Sequence, residues 1–187
     1  MYPNTRIDKI SLINFKNHLN TNLKDLSSFV VLNGNNGSGK TNILEAISLF
    51  SPGRGIKNSR FVEMPNKDRD QKNFEIKINV KYDTGEVELF RSFSSVEKNK
   101  NYISVDNEKI TNFQLLEFIN ILWITPIMEK VLIQSNSEKR NFFDRLIFNI
   151  NKSHLKNYAK LQKLISERLA LPHQASSSFP TMIGLET

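Results

Sequence analysis

Eight consecutive residues, Gly34-Asn35-Asn36-Gly37-Ser38-Gly39-Lys40-Thr41, restrict what this chain can fold into more than any other stretch. They fit the pattern G-x-x-x-x-G-K-[ST] without a mismatch, and that pattern works only where the backbone curls between a strand and a helix. Gly34, Gly37 and Gly39 permit the curl, so that successive N–H groups face phosphate oxygens. Lys40 reaches the β- and γ-phosphates, the Thr41 hydroxyl is the expected Mg2+ ligand, and Asn36 stands where the β–γ bridge would lie. The flanks agree. Phe29-Val30-Val31-Leu32 is an apolar run of strand length, and Asn42 to Phe50 reads as a helix whose N-terminal N–H groups would meet the phosphates. The eight residues from Gly34 to Thr41 are therefore expected to hold a nucleoside triphosphate.

At 187 residues the chain is long enough for one domain, or one domain with an appendage, and for a real core. With no cysteine, neither disulfides nor Cys-based metal sites are available. No apolar leader precedes the first polar residues, and no stretch approaches a membrane span, so a soluble cytoplasmic protein is expected. A formal charge of +7 favours polyanionic partners, although heavy use of Lys, Asn and Ile throughout would give the same balance.

Along the chain, alternation predicts a strand from Thr5 to Phe15, a turn at Asn14–His18 and a weaker strand from Leu19 to Leu26, together a hairpin leading into the phosphate-loop strand. Ser51-Pro52-Gly53-Arg54-Gly55 breaks regular structure, and Ile56 to Gln71 reads as a long surface loop. Strict alternation from Phe74 to Tyr82 marks a half-buried strand. Asp83-Thr84-Gly85 turns it back through Glu86 to Phe93, and Tyr102 to Val105 adds a short strand before the turn at Asp106-Asn107. Phe113 to Leu122 is apolar enough for a short helix. From Ser135 a capping box to Glu138 opens a helical pattern with a possible corner at Asn149–Ser153, and His173 to Thr187 has no period. The middle of the chain is thus antiparallel β, without further parallel βαβ repeats.

Lys152, Lys156, Lys160 and Lys163 recur at three- and four-residue spacing and share a helical face, which suits a DNA backbone or an ordinary solvated surface. Phe15, Trp123 and Phe142-Phe143 have the chemistry of base-stacking residues, but their spacing is that of core. His18, His154 and His173 show no ligand spacing, and no metal site beyond nucleotide-bound Mg2+ is expected.

Three ordered segments resemble the bacterial RecF family. Ile10-Ser11-Leu12-Ile13-Asn14-Phe15-Lys16-Asn17 is similar to its opening L-x-x-F-R-N pattern. Gly34 to Arg60 follows its phosphate loop and extension, and Trp123-Ile124-Thr125-Pro126 with Lys139-Arg140-Asn141-Phe142-Phe143-Asp144-Arg145 is similar to its TP…R-R-x-F-L-D segment. The resemblance runs to about Leu171. It implies a mixed α/β (α+β) P-loop fold of the ABC/SMC type, with an antiparallel β subdomain and a helical lobe. Residues 1–122 would be the first part of the ATP-binding lobe, 123–171 the start of the helical lobe, and 172–187 a divergent tail. It also implies ATP and Mg2+ as cofactors and binding to single-stranded or gapped DNA. The implied role is in replication, recombinational repair and SOS induction, with RecO-, RecR- and RecA-type partners and an ATP-dependent homodimer. By the same resemblance Arg54 and Arg60 would approach nucleotide or DNA, the alternative being solvated loop charge.

One departure stands out. Neither a Walker B strand, four apolar residues before Asp-Glu, nor a signature loop is found. Val105-Asp106 lacks a continuous apolar run, and Phe143-Asp144 sits in a helical pattern. The chain is expected to be a shortened RecF-like protein, inactive in hydrolysis. A small P-loop nucleotide or nucleoside kinase and a non-functional remnant are the alternatives.

Overall fold

A computed structural model of the protein describes residues 5–70, 72–97, 99–126 and 136–170. The tail 172–187 and Ser135 of the predicted capping box lie outside the described residues.

A six-stranded antiparallel sheet dominates, in the order β2-β1-β3-β4-β5-β6. Its strands are β1 (Arg6–Phe15), β2 (His18–Leu23), β3 (Asn73–Tyr82), β4 (Gly85–Ser94), β5 (Lys100–Val105) and β6 (Glu108–Lys109). Alternation in the sequence becomes alternation in burial: Phe74, Ile76, Ile78 and Val80 all face the interior. Register aligns these residues into rows across the sheet. Ile10, Ile78, Leu89 and Val105 form one row, and Leu12, Ile76, Arg91 and Ile103 the next. Onto these rows helix α1 (Lys40–Ser48) and the residues after it deliver Ile43, Ala46, Leu49 and Phe50. Each large side chain buried there contributes about 1.5–3 kcal/mol. Phe74 stacks at 6.0 Å on Phe93 and meets Phe15 edge-on at 5.3 Å, closing the core beside the phosphate loop.

Helices α2 (Asn136–Ile150) and α3 (Lys152–Ala170) form a second unit, cornered at Asn151 as the sequence predicts. His154 Nε2 lies 2.9 Å from Asp144 Oδ1 and ties the two helices together. Among the described residues no helix is long and apolar enough to cross a membrane.

Four expectations are corrected. Phe29 to Leu32 does not form a strand, because no strand among the described residues pairs with it; Phe29 is 80% and Val31 71% exposed. Phe113 to Leu122 holds only a 3-10 turn, Gln114–Glu117. The Phe118 carbonyl accepts a hydrogen bond from the Tyr82 hydroxyl at 2.5 Å, which takes it away from a continuing helix. The segment from Ile56 to residue 71 is not all surface, since Met64, Pro65 and Asn66 are buried and Phe15 bridges to Pro65. Phe143 is half exposed, so the Phe142-Phe143 pair, edge-to-face at 5.5 Å, is not a core pair.

Candidate functional site

The phosphate loop forms as a tight curl that ends on α1. Gly37 and Gly39 take φ of 83° and 100°, the left-handed region that favours glycine, and Gly39 is the residue from which the helix starts. Ser38 N–H donates to the Asn35 carbonyl at 3.2 Å, closing the turn. Lys40 Nζ donates to the carbonyls of Gly34 at 2.6 Å and Asn35 at 2.7 Å, so the ammonium braces the loop across its width. The Asn42 and Ile43 N–H groups donate to the Gly39 carbonyl at 2.8 and 3.1 Å, and the first turn of α1 carries no acidic residue and no side-chain cap, so its positive dipole end is open to an external anion. Thr41, the second residue of α1, is exposed beside that end, where its hydroxyl would serve a cation accompanying a bound phosphate.

Behind the loop lies a polar network that the linear sequence does not display. Asn17 Nδ2 donates to the Gly37 carbonyl at 3.1 Å, and His18 Nε2 contacts the Gly39 carbonyl at 3.1 Å. Asn42 Nδ2 donates to Asn17 Oδ1 at 2.8 Å, and Asn42 Oδ1 accepts from Lys57 Nζ at 2.9 Å. One helical turn further, the wholly buried Glu45 carboxylate lies between Lys57 at 3.0 Å and Lys16 at 3.6 Å. A buried carboxylate needs such cationic partners. The turn after β1, the loop, the first helix and the segment after it are thus one polar assembly. Asn17, His18, Asn42, Glu45 and Lys57 escape sequence reasoning as site residues because up to 40 positions separate them (from Asn17 to Lys57).

The basic candidates are dispersed. Arg54 is exposed after α1. Arg60 is exposed but committed to Glu63, which accepts from its Nε at 2.8 Å and caps the 3-10 turn Phe61–Glu63. This pairing holds the Glu63 carboxyl below its ordinary range. Lys152, Lys156, Lys160 and Lys163 all lie on α3; Lys160 is exposed, and Lys163 pairs loosely with Glu167 at 3.7 Å. Among the described residues α3 packs chiefly against α2. Among the described residues no cluster of three His, Cys, Asp or Glu could hold a metal.

Comparison with known proteins converges on one group. The family model described as AAA ATPase domain matches residues 6–177. DNA replication and repair protein RecF of Rickettsia prowazekii (strain Madrid E) is 34% identical over 165 residues, which is 88% of this chain and 45% of the relative. RecF of Rickettsia bellii (strain OSU 85-389) is 34% identical over 155 residues, 83% of this chain and 42% of the relative. The chain therefore spans less than half the length of these relatives. Among solved structures, the recombination mediator protein RecF with ATP superposes at a TM-score of 0.76 with 25% identity, covering 90% of this chain and 44% of that one. A chain from work on ATP-driven dimerization and DNA-stimulated activation of SMC ATPases superposes at 0.55 with 23% identity, covering 75% of this chain and 98% of that one; this likeness concerns the fold alone.

Proposed function

This chain belongs to the AAA ATPase domain family and matches RecF over the N-terminal half of that protein, and from that premise we propose that it is an ATP- and DNA-binding, RecF-like protein of DNA replication and recombinational repair. One observation carries the nucleotide part. The loop from Gly34 to Thr41 holds its glycines at positive φ, sets Lys40 across its mouth and ends on a helix N-terminus without an acidic residue. Lys40, the loop N–H groups and the Thr41 hydroxyl would hold the β- and γ-phosphates and their Mg2+, and the cation would neutralise phosphate charge. Calorimetric titration with MgATP tests this: the chain binds and Lys40→Ala does not. Equal binding by both would overturn the reading.

Hydrolysis is a separate matter. Phosphoryl transfer relies on positioned charge and an oriented water, and this sequence includes neither a Walker B carboxylate pair nor a signature loop. The 187-residue chain by itself is accordingly a nucleotide binder with negligible turnover; sustained phosphate release at a rate that Lys40→Ala abolishes would contradict this. The kinase alternative draws no support from an antiparallel sheet whose relatives are RecF.

The DNA part rests on the +7 charge and the exposed Lys160 and Lys163 of α3. Single-stranded or gapped DNA is the proposed ligand, with Lys152, Lys156, Lys160 and Lys163 on its backbone and Arg54 nearer the nucleotide. Arg60 contributes less, because Glu63 already neutralises it. Replacing Lys160 and Lys163 by Glu should weaken binding and flatten its dependence on salt. A cytoplasmic location, participation in the SOS response, RecO-, RecR- and RecA-type partners and ATP-dependent pairing of two copies complete the proposal.

A further inference from the structure

We propose that Asn17 and His18, in the turn between β1 and β2, are positioning residues that hold the phosphate loop in its binding shape, so that the nucleotide site begins at Asn17, well before the motif that opens at Gly34. This inference rests on the nucleotide-binding reading above and names residues that act on that site from behind.

Geometry carries it. His18 is buried, with 7% of its surface exposed, and its ring sits between two fixed partners. A carbonyl oxygen only accepts, so Nε2 carries the hydrogen and donates to Gly39 O. In the neutral ring Nδ1 then accepts from the Thr21 hydroxyl at 2.9 Å. The peptide that joins Gly39 to Lys40 is planar and trans, and its N–H points opposite to its carbonyl. The Gly39 carbonyl also accepts from the Asn42 and Ile43 N–H groups at 2.8 and 3.1 Å, so His18 adds a tie from outside the helix to a carbonyl that α1 already orients, with the Lys40 N–H on its far side. Asn17 does the same for the preceding turn. Its amide holds the Gly37 carbonyl, which directs Ser38 N–H to the other side, where it closes on Asn35.

Fit is as tight as the hydrogen bonding. A Cβ built on Gly39 would lie 2.5 Å from His18 Nε2 and 2.7 Å from Asn17 Oδ1, so the ring and the amide fill the space behind the loop. The turn itself is held rather than free. Lys16 takes a φ of 51°, unusual for a side-chain-bearing residue, and its N–H donates to the Met64 carbonyl at 2.7 Å. The same Asn17 amide receives the Asn42 side chain of α1, so loop and helix are referenced to one residue. A loop already held in one shape loses less entropy on binding than one that must be ordered.

The test uses the whole chain with Asn17→Ala, His18→Ala and the conservative His18→Gln, whose amide keeps a donor. Two readouts are needed: amide hydrogen exchange of residues 34–41 against residues 73–82 of β3, and calorimetric affinity for MgATP. The expected result is faster exchange in the loop alone and about tenfold weaker binding, with unfolding midpoints nearly unchanged and His18→Gln restoring most of the affinity. Loop exchange equal to that of the parent chain would overturn the proposal, as would acceleration across β3 to the same degree. If the parent chain and Lys40→Ala both fail to bind MgATP, the nucleotide reading falls and the exchange measurement alone decides whether Asn17 and His18 shape the loop.

Discussion

Gly39 is where conformation and space coincide. Its φ of 100° would cost a side-chain-bearing residue about 1–2 kcal/mol, and a methyl group there would also run into the His18 ring and the Asn17 amide. Gly39→Ala should therefore abolish MgATP binding and lower the unfolding midpoint by several degrees, which calorimetry and thermal melts would show together. Gly37→Ala meets the same backbone strain but no neighbouring atom, so its effect on both readouts should be smaller. Elsewhere Asp8, buried in β1, accepts from Lys81 Nζ at 2.8 Å, and this hydrogen bond holds its carboxyl below the ordinary value of 3.8. A carboxyl whose folded value is depressed contributes stability that is fully present above the unfolded value and lost as pH falls through the folded one. The midpoint difference between the parent chain and Asp8→Asn should be positive near neutrality and should shrink as pH drops below 3.8. A difference that stays constant down to pH 2 would contradict the pairing.

At the scale of elements, the antiparallel middle of the chain is set by its turns as much as by its alternation. Asp83-Thr84 returns β3 into β4 with Tyr82 opposite Gly85, which keeps ten consecutive residue pairs in register. Asp106 and Asn107 join β5 to β6 with φ of 46° and 71°, the pattern of a two-residue turn that matches strand twist. Asn107→Val should cost about 1–2 kcal/mol in denaturant unfolding, whereas Asn107→Gly should be neutral or better. Both strands and turns of this region were readable from sequence, because period-two patterns and Asp/Asn/Gly chemistry are local signals. The short helix expected at Phe113–Leu122 was not, since a tertiary bond from Tyr82 decides its fate.

On the scale of the whole molecule, one side of the sheet–helix unit is uncovered among the described residues. Val30 and Leu32, with Ile7, Ile10, Leu23, Leu26, Ile43, Leu44 and Ile47, line a groove of about 300 Å³ beside the phosphate loop, and Phe29 and Val31 stand exposed at its margin. Exposed apolar surface of this kind promotes association. Val31→Lys should reduce concentration-dependent light scattering without lowering the unfolding midpoint; unchanged scattering would show that the surface is inert. Deep in the core Arg91 presents the opposite problem. Burial lowers its pKa to about 10, one Nη2 bond reaches Asn112, and the Phe61 ring lies 5.6 Å away, while Nε and Nη1 find no hydrogen-bond partner among the described residues. Replacing such a buried ion by an apolar residue of similar size is often neutral or stabilising, so Arg91→Met should leave the denaturant midpoint unchanged or raise it.

The sequence by itself determined the phosphate loop, the antiparallel middle, the corner between the last two helices and the RecF resemblance, all carried by short-range patterns. Glycines that tolerate positive φ, residues alternating every second position and a lysine at a set distance from its loop keep their meaning wherever the chain goes. Tertiary structure alone decided what stands behind the loop. Asn17 and His18 meet Gly37 and Gly39 only because the β1–β2 turn folds against the start of α1, and Lys57 reaches Glu45 only because the segment after α1 returns. It also decided that Phe29–Leu32, a strand by composition, is none here, since a strand exists through the hydrogen bonds of a neighbour that local sequence does not contain.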